Sequence, residues 1–167
     1  MFNHEPLNYI CPFCLVVSGI ENNSVQTKQA DVFYKDDFIT AFIASFWWTN
    51  NKGNVIIIPN KHFENIYDLP SDYSYRVHNL EKEIALALKN VYGCDGVSSR
   101  QHNEPHGNQD VWHYHLHVFP RYKDDDLYLS ERVPADPTER SVYANRLREY
   151  INVNHKTMLQ QQKGDID

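Results

Sequence analysis

Between Trp112 and Val118 the chain alternates without a break. Trp112, Tyr114, Leu116 and Val118 are apolar or aromatic, and His113, His115 and His117 fill the gaps. Successive side chains of a β-strand point to opposite faces, whereas positions i, i+2 and i+4 of a helix scatter around its circumference. The alternation therefore predicts a strand over 112–118 with one face on a core and the other face carrying three imidazoles. Imidazole is costly to desolvate without partners, so three in register point to a site rather than to a bare polar surface.

The same reading places the neighbouring elements. "ADVFYKDDFITAFIAS" (30–45) has β-branched and aromatic residues on both sides of Lys35, Asp36 and Asp37, a charged turn, and predicts a hairpin. "NVIIIP" (54–59) follows Lys52-Gly53 as a short apolar run and predicts a buried central strand ended by Pro59. After Pro70, Tyr73, Val77, Leu80, Ile84, Leu88 and Val91 step by three or four, the spacing of one amphipathic helix, with Gly93 as its stop. "GVSSRQHN" (96–103) and the histidine strand come next, joined by the loop "EPHGNQD". The expected class is α+β, an antiparallel sheet crossed by one long helix. Residues 123–154 form an extension. Within it Asp136, Pro137 and Glu139 suit a helix start, and Tyr143, Leu147, Tyr150 and Ile151 give that helix an apolar stripe. From His155 to Asp167 apolar content is too low to pack, and a loose tail is expected.

Composition narrows the function. The 167 residues suit one domain with a sizeable core. With 22 acidic against 16 basic residues and no basic block, no nucleic-acid polymer is expected as a partner. The most apolar early stretch, "YICPFCLVV", is far too short to span a bilayer and has no basic head before it, which implies no membrane partner and a cytoplasmic location. Three cysteines, an odd number, read as ligands or buried thiols before they read as disulfides. Cys11 and Cys14 of "CPFC" are close enough to share one tetrahedral metal but supply only half of its ligands. A redox pair would sit in a βαβ unit, for which no pattern follows, and two buried thiols is the plain alternative. Cys94 has no partner in sequence.

These stretches together resemble the histidine triad (HIT) superfamily of nucleotide hydrolases and transferases. The resemblance rests on His113-Tyr114-His115-Leu116-His117-Val118 with Gln109 four residues upstream, on "CPFC", on the 30–45 hairpin and on "NKGNVIIIPNKHFENIYDLP". It covers about residues 9–122, and residues 1–122 are the expected HIT-like domain. It implies that His115 is the nucleophile that attacks the α-phosphate of a nucleotide, giving a nucleotidyl-imidazole later cleaved by water. An imidazole with a pKa of about 6.5 can both attack and leave near neutral pH. His117 would bind and polarise the phosphate, where charge neutralisation contributes most. Cys11, Cys14, His62 and His113 would hold a structural zinc, as in the zinc-containing branch, and Asn103 and Gln109 would contact the nucleotide. His102 and His106 match no family histidine and are expected to be solvated.

The resemblance also implies a homodimer and, as substrate, a purine mononucleotide conjugate or a dinucleoside polyphosphate. Two positions depart from it: Asn54 stands where many relatives have histidine, and Ala44 where many have an acidic residue for the ribose hydroxyls. Two other functions compete. In one, His113 and His115 hold a catalytic metal as an HxH pair. In the other, the chain is a zinc-stapled binding module without turnover.

Overall fold

The hairpin closes as β1 (Val32–Lys35) and β2 (Ile39–Ile43). Asp36 makes the turn, its Oδ1 accepting from the backbone N–H groups of Phe38 and Ile39, both at 2.7 Å. A side chain that bonds its own backbone two and three residues on is what stops a β-branched run from continuing straight. β4 (Val55–Pro59) pairs with β2 and is buried along its whole length. β6 (Leu116–Arg121) lies beside β4, and β5 (Gly96–Gln101) forms the edge. The sheet is antiparallel throughout, in the order β1-β2-β4-β6-β5. This computed structural model describes the backbone of residues 2–164 and the side chains of residues 2–154.

One face of the sheet is covered by helices. α2 (Ser71–Ala87) continues as a single wider turn, Leu88–Tyr92, and ends at Gly93, whose φ of 68° is the left-handed conformation that favours glycine at a helix end. Its stripe of Val77, Leu80, Ile84, Ala87 and Leu88 is buried in the core that also takes Leu116 and Val118 of β6. α3 (Pro137–Gly164) starts as its sequence predicts, with Asp136 Oδ1 accepting from the N–H groups of Thr138 and Glu139. Ala144, Leu147 and Ile151 of α3 enter the same core, and buried Arg140 donates to buried Asp31 at 3.0 Å. At Gly53 (φ 78°) a Cβ would lie 2.3 Å from the Tyr143 ring, so this turn needs glycine for both its backbone and its neighbour. The tail expected to be loose continues α3 as far as Gly164, and its last three residues lie outside the described residues. Among the described residues, no helix is long and apolar enough to cross a membrane.

Two features differ from the sequence reading. The triad strand begins at Leu116 and runs to Arg121, so His113 and His115 sit in the extended segment leading into it. The ladder with β4 stops at Ile57↔Leu116 because Pro59 has no N–H to offer, its carbonyl accepts from His113 Nε2, and Tyr114 N donates instead to the Phe63 carbonyl. A second, two-stranded ribbon joins β3 (Phe46–Trp48) to β7 (Arg132–Pro134). It carries Trp48 onto Phe119 and Leu127, forming a small apolar cluster apart from the main core.

Candidate functional site

β6 splits the histidines from the core by its alternation. Leu116 and Val118 turn toward the helices, while His117 and Phe119 belong to the opposite face, their rings stacked at 5.6 Å. His115 precedes His117 on that face, with ring centroids 5.1 Å apart. All three histidines of the triad are buried.

His113 turns away from the other two and into a cluster of sulfur and nitrogen donors. Its Nδ1 lies 3.3 Å from Cys11 Sγ and 3.6 Å from Cys14 Sγ, and His62 Nδ1 lies 3.3 Å from Cys14 Sγ. The four donor atoms all fall within 4.8 Å of one another. A tetrahedral zinc with thiolates at about 2.3 Å and imidazoles at about 2.1 Å separates its ligand atoms by about 3.4–3.8 Å, so the group fits that ion. Local structure prepares it: Cys11 caps α1 (Pro12–Val17), its sulfur accepting from Cys14 N–H, and His113 Nε2 donates to the Pro59 carbonyl at 2.9 Å, which leaves Nδ1 as the free donor. Burial pushes the Cys11 thiol up to about 12, raises Cys14 as well, and lowers His113 to about 3. A divalent cation reverses the thiol preference and takes the neutral imidazole as it stands. Two thiols and two imidazoles around one point are the closed donor set of a structural zinc site.

His117 lines a cleft instead, with His115 beside it on the same face. His115 Nδ1 donates to the His113 carbonyl at 2.7 Å, so Nε2 carries the lone pair, 3.6 Å from Asp110 Oδ1. Burial lowers the pKa of both rings; neighbouring His115 and the guanidinium groups of Arg100 and Arg132 press His117 down further. His117 Nδ1 is buried and has no hydrogen-bond partner among the described residues. The cleft, of about 390 Å³, is lined by His117, Arg100, His102, Asp110 and Arg132, with Asn108 and Gln109 on the loop side. Because both nitrogens of His113 are engaged elsewhere, His113 and His115 do not converge on one ion as an HxH pair would.

The loop residues stand differently from the histidines. Gln109 lines the cleft, but its amide donates to the carbonyls of Glu64 and Val111 while its oxygen accepts from Glu104 N–H. Asn103 Oδ1 accepts from Ile66 N–H and from Gln101, tying two loops together. His106 is exposed, as expected, whereas His102 is not solvated: its Nδ1 meets the Gly107 carbonyl and its Nε2 is buried. Arg100, Asp110 and Arg132 were invisible as site residues in the sequence. Arg100 becomes one through register alone, since it lies directly across β5 and β6 from His117. Ala44 and Asn54 are both buried.

The HIT domain family model matches residues 25–124. An uncharacterized HIT-like protein of Methanocaldococcus jannaschii is 30% identical over 116 residues, 70% of this chain and 82% of its own. A protein of Arabidopsis thaliana named adenylylsulfatase is 25% identical over 123 residues, 72% of this chain and 57% of its own. Among solved structures, a zinc-bound histidine triad family protein from Mycobacterium smegmatis superposes with a TM-score of 0.71 at 24% identity, over 88% of this chain and 96% of its own. Plasmodium falciparum diadenosine triphosphate hydrolase does so with a TM-score of 0.66 at 17% identity, over 84% and 95%. With the family model spanning most of the sheet and the whole triad, the chain belongs to the histidine triad (HIT) family.

Proposed function

We propose that this chain cleaves nucleotides at the α-phosphate through a nucleotidyl intermediate on His115. The observation that carries the reading is the His115 ring itself. Its Nδ1–H is tied to a backbone carbonyl, and its Nε2 lies 3.6 Å from Asp110, which lines a cleft where Arg100 and Arg132 suit an anion. In the first step the Nε2–P bond forms as the bond from phosphorus to the leaving group breaks, and the leaving group departs with the electron pair. In the second step water attacks phosphorus and gives up a proton to solvent, the N–P bond breaks with its electron pair returning to Nε2, and neutral imidazole returns. His117, with an unpartnered Nδ1 beside this position, holds a phosphate oxygen and neutralises charge as it develops. Asn103 and Gln109 serve the nucleotide by fixing the loops that frame the cleft. Two of the similar proteins bear the names adenylylsulfatase and diadenosine triphosphate hydrolase, both of which describe cleavage next to a nucleotide phosphate.

Zinc, held by Cys11, Cys14, His62 and His113, is structural, because protein donors fill all four positions. β5 is an edge strand of the sheet with the exposed Leu86 of α2 nearby, and a second copy pairing there makes a homodimer. Light scattering at working concentrations should give twice the 19.7 kDa chain mass; the mass of a single chain removes the dimer.

The test of the chemistry is His115→Asn. Turnover of an adenylylated substrate should fall by at least about 1,000-fold while nucleotide binding persists, because the loss lies in bond making rather than in ground-state contacts. Rapid quench of the wild type with labelled substrate should trap label on protein, stable in base and labile in acid, and none on the variant. Normal turnover by His115→Asn ends the proposal.

A further inference from the structure

Arg100 and Arg132 are held in an unusual way for surface arginines. Arg100 Cζ stands 4.6 Å from the centre of the Tyr128 ring and 5.2 Å from that of Trp48, and Arg132 Cζ stands 5.1 Å from Phe46 and 5.4 Å from Trp48. Aromatic faces fix a guanidinium in place without using its N–H edge. That edge is largely unspent here. Arg100 Nε is buried with no partner among the described residues, and Arg100 lines the cleft. The carboxylate near Arg132 is that of Asp110, at 3.9 Å on a side chain 60% exposed, too long and too wet for a strong ion pair. Asp110 also reaches toward His115 Nε2, so its carboxylate occupies the space between the nucleophile and Arg132.

Two arginines whose single nearby carboxylate, Asp110, is long and wet, in a cleft beside a nucleophile, are a binding site in waiting. The α-phosphate of the proposed reaction is taken by His115 and His117, and Arg100 lies one strand farther out, across from His117. A 5′-nucleotide has a neutral ribose on one side of that phosphate, so a second negative group within reach of the arginines belongs to the leaving group. We infer that Arg100 and Arg132, wedged on the Trp48 ring, form a subsite for an anionic leaving group. It selects substrates with a second phosphate or sulfate on the α-phosphate over those that release a neutral amine. The inference rests on the proposed nucleotide chemistry and adds the substrate class. In the bound state the anion replaces Asp110 at Arg132 and supplies the acceptor that Arg100 Nε lacks.

Equilibrium binding of AMP and of ADP, the latter in its uncleavable α,β-methylene form, to the zinc-loaded full chain tests it without depending on turnover. ADP should bind at least about tenfold more tightly than AMP, the range of a charge-assisted hydrogen bond or two. In Arg132→Gln, whose side chain is exposed enough for the fold to tolerate the change, the ADP-to-AMP affinity ratio should collapse toward one; Arg100→Lys, which keeps charge but loses the fork, should lower it partway. Equal affinity for AMP and ADP in the wild type, or an unchanged ratio in Arg132→Gln, overturns the subsite while leaving the nucleotide reading in place. Affinity for neither ligand is the failure of the nucleotide reading, and the subsite falls with it.

Discussion

His113 and His117 stand at equal distances on either side of His115, in the same alternation, yet they end in opposite kinds of site. His113, fully buried, has both ring nitrogens occupied, one by the Pro59 carbonyl and one facing two thiols. His117 keeps an unpartnered nitrogen, one stacked face on Phe119 and an open cleft before it. The difference arises where the β4 ladder ends. Proline at position 59 releases the chain before Leu116, so His113 can rotate toward α1, while His117, inside the ladder, must stay on its face. A row of identical residues thus becomes a metal-site anchor at one end and, in the proposed function, part of the reacting site at the other. Saturated donors make the first, and unsatisfied ones make the second.

That contrast can be broken at either end. The largest effect is expected at the closed end. Cys14→Ser should lose the zinc by elemental analysis and lower Tm by more than about 10 °C, since a structural zinc contributes free energy comparable to the whole stability of a domain. A His115→Asn protein, by contrast, should keep its full zinc content and nearly its Tm. If Cys14→Ser keeps the metal, or His115→Asn loses it, the two ends are not separate sites.

A smaller effect is expected in the turn that follows β6. Asp125, buried, accepts from Arg121 Nε at 2.7 Å and Nη2 at 2.8 Å and from the N–H groups of Tyr122 and Leu127. It thereby shapes the turn that brings Leu127 and Tyr128 against Trp48, with the Tyr128 ring under Arg100. The Arg121 guanidinium holds this carboxylate well below the usual range, with backbone N–H groups and Asn51 adding to it. A depressed folded pKa means that stability is present above the unfolded value, about 4, and is lost as pH falls below it. Asp125→Asn should therefore cost about 1–3 kcal/mol at pH 7, with zinc content unchanged. Thermal melts should show its gap from the wild type narrowing between about pH 4 and pH 2; a gap that is constant with pH assigns the effect to packing instead.

Local patterns were legible wherever the physical cause was local. The Asp36 turn, the α2 stripe with its Gly93 end and the Asp136 cap each depend on residues within a few positions of one another. The four zinc donors were legible as well, though they span 102 positions between Cys11 and His113, because spacing and donor type carry the signal and resemblance supplied the pairing. The β3–β7 ribbon was not. Three-residue strands such as "FWW" and "RVP" contain no information about their partner, and only a packed core brings Trp47 opposite Val133.

The sequence by itself determined the alternation that puts histidines on one face, the turns and caps that start and stop each element, and the donors available to a metal. Those follow from side-chain direction and backbone chemistry within a few residues. Tertiary structure alone decided which histidine meets sulfur, which keeps a free nitrogen, and that Arg100 and Arg132 stand beside His117 rather than in solvent. Register between β5 and β6 and the docking of β7 are settled by the burial of faces across the whole sheet, a quantity that no short stretch of chain contains.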